Sequence, residues 1–332
     1  MHSYYIFELT LAPETENFNK LFNRVYEKSK GEYQTYSDND NYVDDALAAK
    51  GITVVYHDNS YKKKIKLLVN PNWIRGDDKS DSNNISKSLR KLEARVNDYF
   101  DSKYGLNDFK LSKMGIVVDV DVHEREKVTA YLKIIKKVGR VKGFSPSKDR
   151  RLDNDMSFCL EGNSNGIEFM IYDLEKLAID QQMETDSKPK KLKSIVERTM
   201  GILRVEVWLA SKAIRGFTDE TVASRQMVDL LENNEKILLD TFLRIIPFGD
   251  FYKKNRAVEI IQKKVTDRRL RRKMLRLLVL VPEKKSLLLA QKALNCRRIN
   301  DVMDMFSSIE MSPVTISKRH DIKKLKNFYK YL

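Results

Sequence analysis

Three short apolar runs in the middle of the chain constrain its fold most strongly: residues 115–122 (GIVVDVDV), 167–172 (IEFMIY) and 202–209 (ILRVEVWL). Each is rich in β-branched residues and broken by polar ones at alternate positions, the pattern of strands with one face on a core. Residues two apart in an extended chain point to the same side of a sheet. Asp119, Asp121 and His123 therefore share a face of the first run. In the third, Arg204 and Glu206 take the face opposite Leu203, Val205, Val207 and Leu209. Acids on neighbouring strands of one sheet would meet.

The surrounding pattern is mixed. Strand-like runs at 4–11, 52–56 and 64–69 accompany a helix at 17–28. A polar loop at 76–84 (GDDKSDSNN) precedes an amphipathic helix at 85–100, with Leu89, Leu92, Val96 and Tyr99 at helical spacing. A helix at 124–138, ended by Gly139, places Val128, Tyr131, Leu132 and Ile135 over the sheet that carries Asp119. After a basic loop at 142–151, EGNSNG joins strands 156–160 and 167–172 as a hairpin, which puts Tyr172 at a strand end. Residues 180–194 are polar and contain proline, so they are expected as a mobile lid or loop. From 219 the pattern is helical almost throughout, with Pro247, Pro282 and Pro313 as breaks, and no internal repeat or coiled-coil register is found. The expected fold is α+β: an antiparallel-sheet domain at 1–218, then an all-helical basic domain at 219–332.

Charge separates the two halves. Residues 241–332 hold 23 Lys+Arg against 8 Asp+Glu, whereas 1–240 hold 39 of each, so the whole net charge of +15 lies in the C-terminal segment. Such a block attracts polyanions by counterion release, which makes nucleic acid the leading partner and an acidic membrane the weaker one. Charge alone does not separate DNA from RNA. Cys159 and Cys296 are distant and lack metal-type spacing, so no zinc site can be argued from them and they fit reduced thiols, with Cys159 packed in a core. MHSYYIFELTL lacks the features of a secretion leader and no run is long enough to span a bilayer. A soluble cytoplasmic protein without membrane partners is expected.

The polar residues of the central strands suit phosphodiester chemistry. A tyrosine hydroxyl that attacks phosphorus forms a phosphotyrosyl bond that keeps the energy of the broken link. Free tyrosine, with a pKa of about 10, is a poor nucleophile at neutral pH. A hard divalent ion, Mg²⁺ or Mn²⁺, held by Asp119, Asp121 and Glu206 with His123 as a nitrogen ligand, would polarise the phosphate. Taken singly, each residue has an ordinary reading: Tyr172 as a half-buried strand-end tyrosine, Asp119 and Asp121 as a solvated sheet face, Glu206 in a cross-strand ion pair.

Order and context change that balance. KLSKMGIVVDV, GNSNGIEFMIYDLEKL and GILRVEVWL, within residues 108–209, resemble in sequence and order the motifs of the rolling-circle replication initiators of filamentous phages and small plasmids. The resemblance implies a Rep-type nicking domain with Tyr172 as nucleophile, Asp119 as the strand acid, Glu175 as the acid after the tyrosine and Glu206 as the acid of the third strand. It also implies origin DNA as partner, duplex and single strand, with a homodimer and a host helicase as further partners. Gly115 stands where many relatives carry an aspartate, Leu174 where a lysine follows the tyrosine, and a His-Xxx-His metal pair is missing.

In the basic half, residues 266–281 (TDRRLRRKMLRLLVLV) set Arg268, Arg269, Arg271 and Arg272 beside a stripe of Leu270, Met274, Leu277 and Leu278. A helix of this kind can lie along phosphates, or be a core helix with a solvated rim. Residues 312–332 read as a basic helix presenting Lys318, Arg319, Lys323 and Lys324 to DNA, as part of a helix-turn-helix with 299–309. Arg204 is a further DNA contact. The competing function is a non-catalytic DNA-binding regulator of a phage or plasmid with a degenerate initiator fold, for which Gly115 and Leu174 speak. A tyrosine recombinase using Arg319, His320 and Tyr329 or Tyr331 fails on spacing, since residues 320 and 329 of one helix lie about 13 Å apart along its axis.

Overall fold

A computed structural model describes residues 2–28, 41–59, 62–71, 82–147, 157–184 and 189–331. Period-two alternation builds strands β1 (His2–Leu11), β2 (Asn41–Asp44), β3 (Ile52–Asn59), β4 (Lys62–Val69) and β5 (Lys110–Asp121). It continues in β6 (Phe144–Pro146), β7 (Ser157–Gly162), β8 (Ile167–Asp173) and β9 (Ile202–Ala210). These nine strands form an antiparallel sheet in the order β2-β3-β4-β1-β5-β9-β8-β7-β6. The helices are α1 (Thr15–Lys28), α2 (Ser82–Tyr99), α3 (Arg125–Lys136), α4 (Leu174–Glu184) and α5 (Pro189–Thr199). They are followed by α6 (Ala223–Glu232), α7 (Asn234–Ile245), α8 (Lys254–Lys264), α9 (Arg268–Lys284), α10 (Leu287–Ala293) and α11 (Ile299–Ser308). The α+β class is therefore as expected, with helices concentrated towards the C-terminus.

The chain packs as two units, and their boundaries differ from the linear division at 218 and 219. One comprises Tyr4–Ile116 with Trp208–Glu235; the other comprises Met1–Ser3, Val117–Val207 and Lys236–Leu332. Strands β5 and β9 each run through both units, so no single cut in the sequence separates them.

In the first unit, Ile52, Val54 and Tyr56 of β3 oppose Val69, Leu67 and Ile65 of β4, and Phe7 and Leu9 of β1 oppose Val69 and Leu67. All are at most 1% exposed. Full burial of one such side chain contributes about 1.5–3 kcal/mol. Helix α1 supplies Phe18, Leu21 and Val25 at helical spacing, with the Phe18 ring edge-on to Tyr56 at 5.8 Å. Helix α2 buries Ile85, Leu92 and Val96 and packs against α6.

In the second unit, Ile167, Phe169 and Ile171 of β8 and Leu203, Val205 and Val207 of β9 are buried. Helix α3 packs on β7 and β8 and buries the expected Val128, Tyr131, Leu132 and Ile135. An aromatic cluster continues outward: Phe169 meets Phe242 of α7 at 6.1 Å, Phe242 meets Phe328 at 5.9 Å, and Phe328 meets Tyr131 at 4.4 Å.

Several local expectations need correction. Pro282 lies inside α9 rather than breaking it, because it falls in the last turn, just before Lys285 takes a left-handed conformation (φ 49°) and ends the helix. Residues 180–184 and 189–194 belong to α4 and α5, which pack on each other, instead of forming a loop; 185–188 lie outside the described residues. Of the polar loop at 76–84, residues 76–81 also lie outside them, as do 148–151 of the basic loop.

The C-terminal segment is not a helix. Residues 311–327 run in extended and turn conformation and end in a single 3-10 turn at Phe328–Lys330, and a helix-turn-helix with α11 is not formed. The segment bridges Asp250 at Met311 and Lys253 at Ile316, then forms the two-residue strand β11 (Lys324–Leu325) against β10 (Phe251–Tyr252). The β-branched run Val314, Thr315 and Ile316 disfavours a helix, and burial of all three gains more from pairing than a helix face would supply. Asn327 fixes the end: fully buried, it donates from Nδ2 to the carbonyls of Pro247 (2.9 Å) and Gly249 (2.6 Å).

Candidate active site

Strand β9 lies between β5 and β8, so the polar residues of all three central runs come to neighbouring strands. The β5–β9 pairing is antiparallel: Gly115 lies under Trp208, Asp119 beside Arg204, and Val122 N–H donates to the Gly201 carbonyl (2.9 Å). A tight clasp closes the strand ends. Gly201 has φ +75°, and a Cβ there would sit 2.6 Å from the His123 carbonyl carbon, so only glycine fits.

Tyr172 and Glu206 are brought together. The tyrosine hydroxyl donates to Glu206 Oε1, and the two residues are only 7% and 9% exposed. Ser157 of β7 is directly opposite Tyr172 in the ladder and is also buried. A carboxylate that accepts the phenolic proton's hydrogen bond can also accept the proton, which is what a tyrosine nucleophile needs.

The other acids are held by arginines. Arg204 donates from Nε and Nη2 to both oxygens of Asp119 (2.7 and 2.9 Å), with side chains 19% and 14% exposed. Arg125, at the start of α3, grips Glu175 in the same forked way (2.8 and 2.5 Å) at the start of α4. Asp173 caps α4, accepting from the N–H groups of Glu175 (3.0 Å) and Lys176 (3.3 Å), and burial raises its carboxyl above the ordinary aspartate range. Asp121 and His123 are exposed at the end of β5, with Asp121 Oδ1 accepting from His123 N–H (2.8 Å) and lying 3.1 Å from Nδ1.

The residues expected to ligate Mg²⁺ or Mn²⁺ therefore do not converge in this arrangement. Asp119 closes on Arg204, Glu206 receives Tyr172, and Asp121 and His123 pair with each other in solvent. Among the described residues no group of three or more His, Cys, Asp or Glu side chains is placed to hold a metal ion. The physical reason is a cross-strand register that sets a guanidinium, not a second carboxylate, against Asp119. It also pairs Arg204 with a carboxylate inside the sheet. Gly115 has its own cause: a Cβ there would lie 2.8–2.9 Å from the Trp208 ring, so an aspartate has no room.

The basic residues are placed unevenly. Arg268, Arg269 and Arg272 are exposed on α9, whereas Arg271 is half-buried and donates to the Val265 carbonyl (3.4 Å). Asp267 caps that helix, and the N–H groups of Leu270 and Arg269 hold its carboxyl below the usual range. Lys318, Arg319 and Lys323 are exposed, but on an irregular segment. Lys324 is also exposed and is bonded to buried Asp250 (2.9 Å). Arg125 was not singled out from sequence because it precedes Glu175 by a helix and three strands; its only signal is its place in the first turn of an amphipathic helix. Trp208 was legible only as a strand residue. Cys159 is half-buried rather than a core residue, and among the described residues neither cysteine forms a disulfide.

Fold and site together define an α+β protein whose central strands carry a buried tyrosine–glutamate pair flanked by two arginine–carboxylate pairs. No protein-family model matches the sequence, and no curated protein does. Among solved structures, the chain is similar to the rolling-circle replication initiator protein from Geobacillus stearothermophilus, with 9% identity and a TM-score of 0.30 over 96% of this chain and 98% of that one. No described helix is long and apolar enough to cross a membrane.

Proposed function

We propose that the chain is a replication initiator that binds a DNA origin and nicks one strand through Tyr172, leaving a phosphotyrosyl link for rolling-circle replication. The observation that carries this reading is the buried hydrogen bond from Tyr172 to Glu206, set in the motif order that resembles initiators. In the proposed step Glu206 takes the phenolic proton as the tyrosine oxygen bonds to phosphorus. The bond from phosphorus to the leaving deoxyribose oxygen breaks, and that oxygen takes up a proton. Reversal reseals the strand. The exposed Arg268, Arg269 and Arg272 are the proposed phosphate contacts.

A second reading is favoured by the two forked ion pairs. With Asp119 and Glu175 neutralised by Arg204 and Arg125, the sheet would serve a non-catalytic DNA-binding regulator. The test is incubation with supercoiled DNA of the protein's own genetic neighbourhood, with Mn²⁺, with Mg²⁺ and with chelator, followed by detection of nicked circles that carry protein. Attachment present in the wild type and lost in both Tyr172→Phe and Glu206→Gln establishes the nickase. Tight binding without nicking in any condition establishes the regulator, and attachment retained in Tyr172→Phe removes that tyrosine from the role.

A further inference from the structure

A second feature lies apart from the tyrosine pair, within the same unit. A cavity of about 460 Å³ is walled by the end of α3, strands β6 and β7 and the junction of α9 with α10. Lys136, Arg140, Lys284 and Lys285 bring four positive charges to it, and among the described residues that line it there is no carboxylate. Arg140, Lys284 and Lys285 are exposed, and none of them forms an ion pair among the described residues. Phe144 and the half-buried Phe158 add aromatic surface.

The charges come from segments about 145 residues apart and are cinched together by backbone. Leu287 N–H donates to the Val138 carbonyl (2.9 Å), and at Gly139 (φ +62°) a Cβ would lie 2.4 Å from the Lys285 carbonyl oxygen. Lysines in the last turn of a helix are ordinary, because they offset a negative helix end of about half a charge. Two such ends offset about one charge, which leaves roughly two of the three on Arg140, Lys284 and Lys285 uncompensated among the described residues. Holding like charges together in this way costs free energy unless an anion completes the site. The volume falls in the range of small-ligand sites, roughly 300–1,000 Å³.

We propose that this cleft binds a nucleotide, its phosphate held by Arg140 and Lys284 and its base against Phe158. The nucleotide is either part of a single strand or free, and the two sources share this chemistry. The site extends the nucleic-acid reading but does not depend on nicking, because its readout is binding alone.

The experiment measures fluorescence anisotropy of a labelled dT12 strand with the wild type, with Arg140→Gln/Lys284→Gln, and with Lys236→Gln/Arg244→Gln, a control that removes the same charge from the exposed face of α7. The expected result is a roughly tenfold loss of affinity in the first variant, with a salt slope reduced by about 1.4, and little change in the control. Phe158→Leu, which keeps the charge, is expected to weaken binding about fivefold or more through lost stacking. Competition by dTTP against the wild-type complex assigns the cleft to a free nucleotide; loss of strand binding without such competition assigns it to the strand. Equal affinity in wild type and Arg140→Gln/Lys284→Gln, or equal losses in that variant and the control, overturns the proposal.

Discussion

Asp119→Ala should cost the protein stability before it costs it chemistry. The substitution leaves the Arg204 guanidinium without its forked acceptor, in a setting where the two side chains are 14% and 19% exposed. Removing one partner of a buried ion pair costs about 3–5 kcal/mol, and the residual exposure places this pair at the lower end, about 3 kcal/mol. That is roughly a hundredfold in the folding equilibrium. Urea unfolding followed by intrinsic fluorescence reads it as a lowered midpoint with an unchanged slope. Replacing both partners, Asp119→Leu with Arg204→Met, should recover most of the loss, because the desolvation cost of the pair disappears with it. If Asp119→Ala keeps wild-type stability to within about 0.5 kcal/mol and instead abolishes Mn²⁺ binding, the carboxylate is a metal ligand and the ion-pair reasoning is refuted.

Other outcomes follow from the same geometry. Gly115→Ala drives a methyl into the Trp208 ring and should destabilise by about 1–3 kcal/mol in thermal unfolding, with relief when Trp208→Val is added. Asp250 is 2% exposed; burial opposes its ionisation, but Lys324 and Lys330, each at 2.9 Å, hold its carboxyl below the ordinary value. Its contribution should be complete above about pH 4 and lost as pH falls through the folded value, a dependence absent in Asp250→Asn. His320 is shifted the other way in consequence: burial, with Lys133 next, lowers its pKa, and its Nε2 has no hydrogen-bond partner. Protonation therefore favours the unfolded chain, so stability should fall as pH drops below about 6.5, and His320→Leu should flatten that window in a pH series of urea midpoints.

The strands were legible because they combine two independent signals, apolar alternation and turn chemistry. The 167–173 hairpin strand and the α3 stripe lie within two residues of their expected ends, and β5 ends within one residue of the expected C-terminal end. Site partners were less legible, since they depend on register. Alternation says that Arg204 and Glu206 share a face, but only the pairing with β5 shows that Arg204, not Glu206, meets Asp119. The segment 312–332 misled for a related reason. Its lysines recur at helical spacing, yet its apolar residues Val314, Ile316, Leu325 and Phe328 are claimed by distant partners, and tertiary contacts override local preference. Residues 180–194 misled by composition: polar residues and one proline at a helix start are as compatible with two short helices as with a loop.

The placement of residues 311–331 also bears on how the chain is made. Phe328 fills the space between Tyr131 and Phe242, and the Tyr131 hydroxyl donates to the Lys326 carbonyl (2.7 Å). Synthesis runs in one direction, so the sheet and α3 leave the ribosome well before the residues that seal them. During that interval the unit exposes an apolar gap of aromatic size, where a nascent chain is open to chaperones and to aggregation. Residues made nearly two hundred positions later thus complete this core, and a chain stopped at residue 310 should be recovered mainly as insoluble protein.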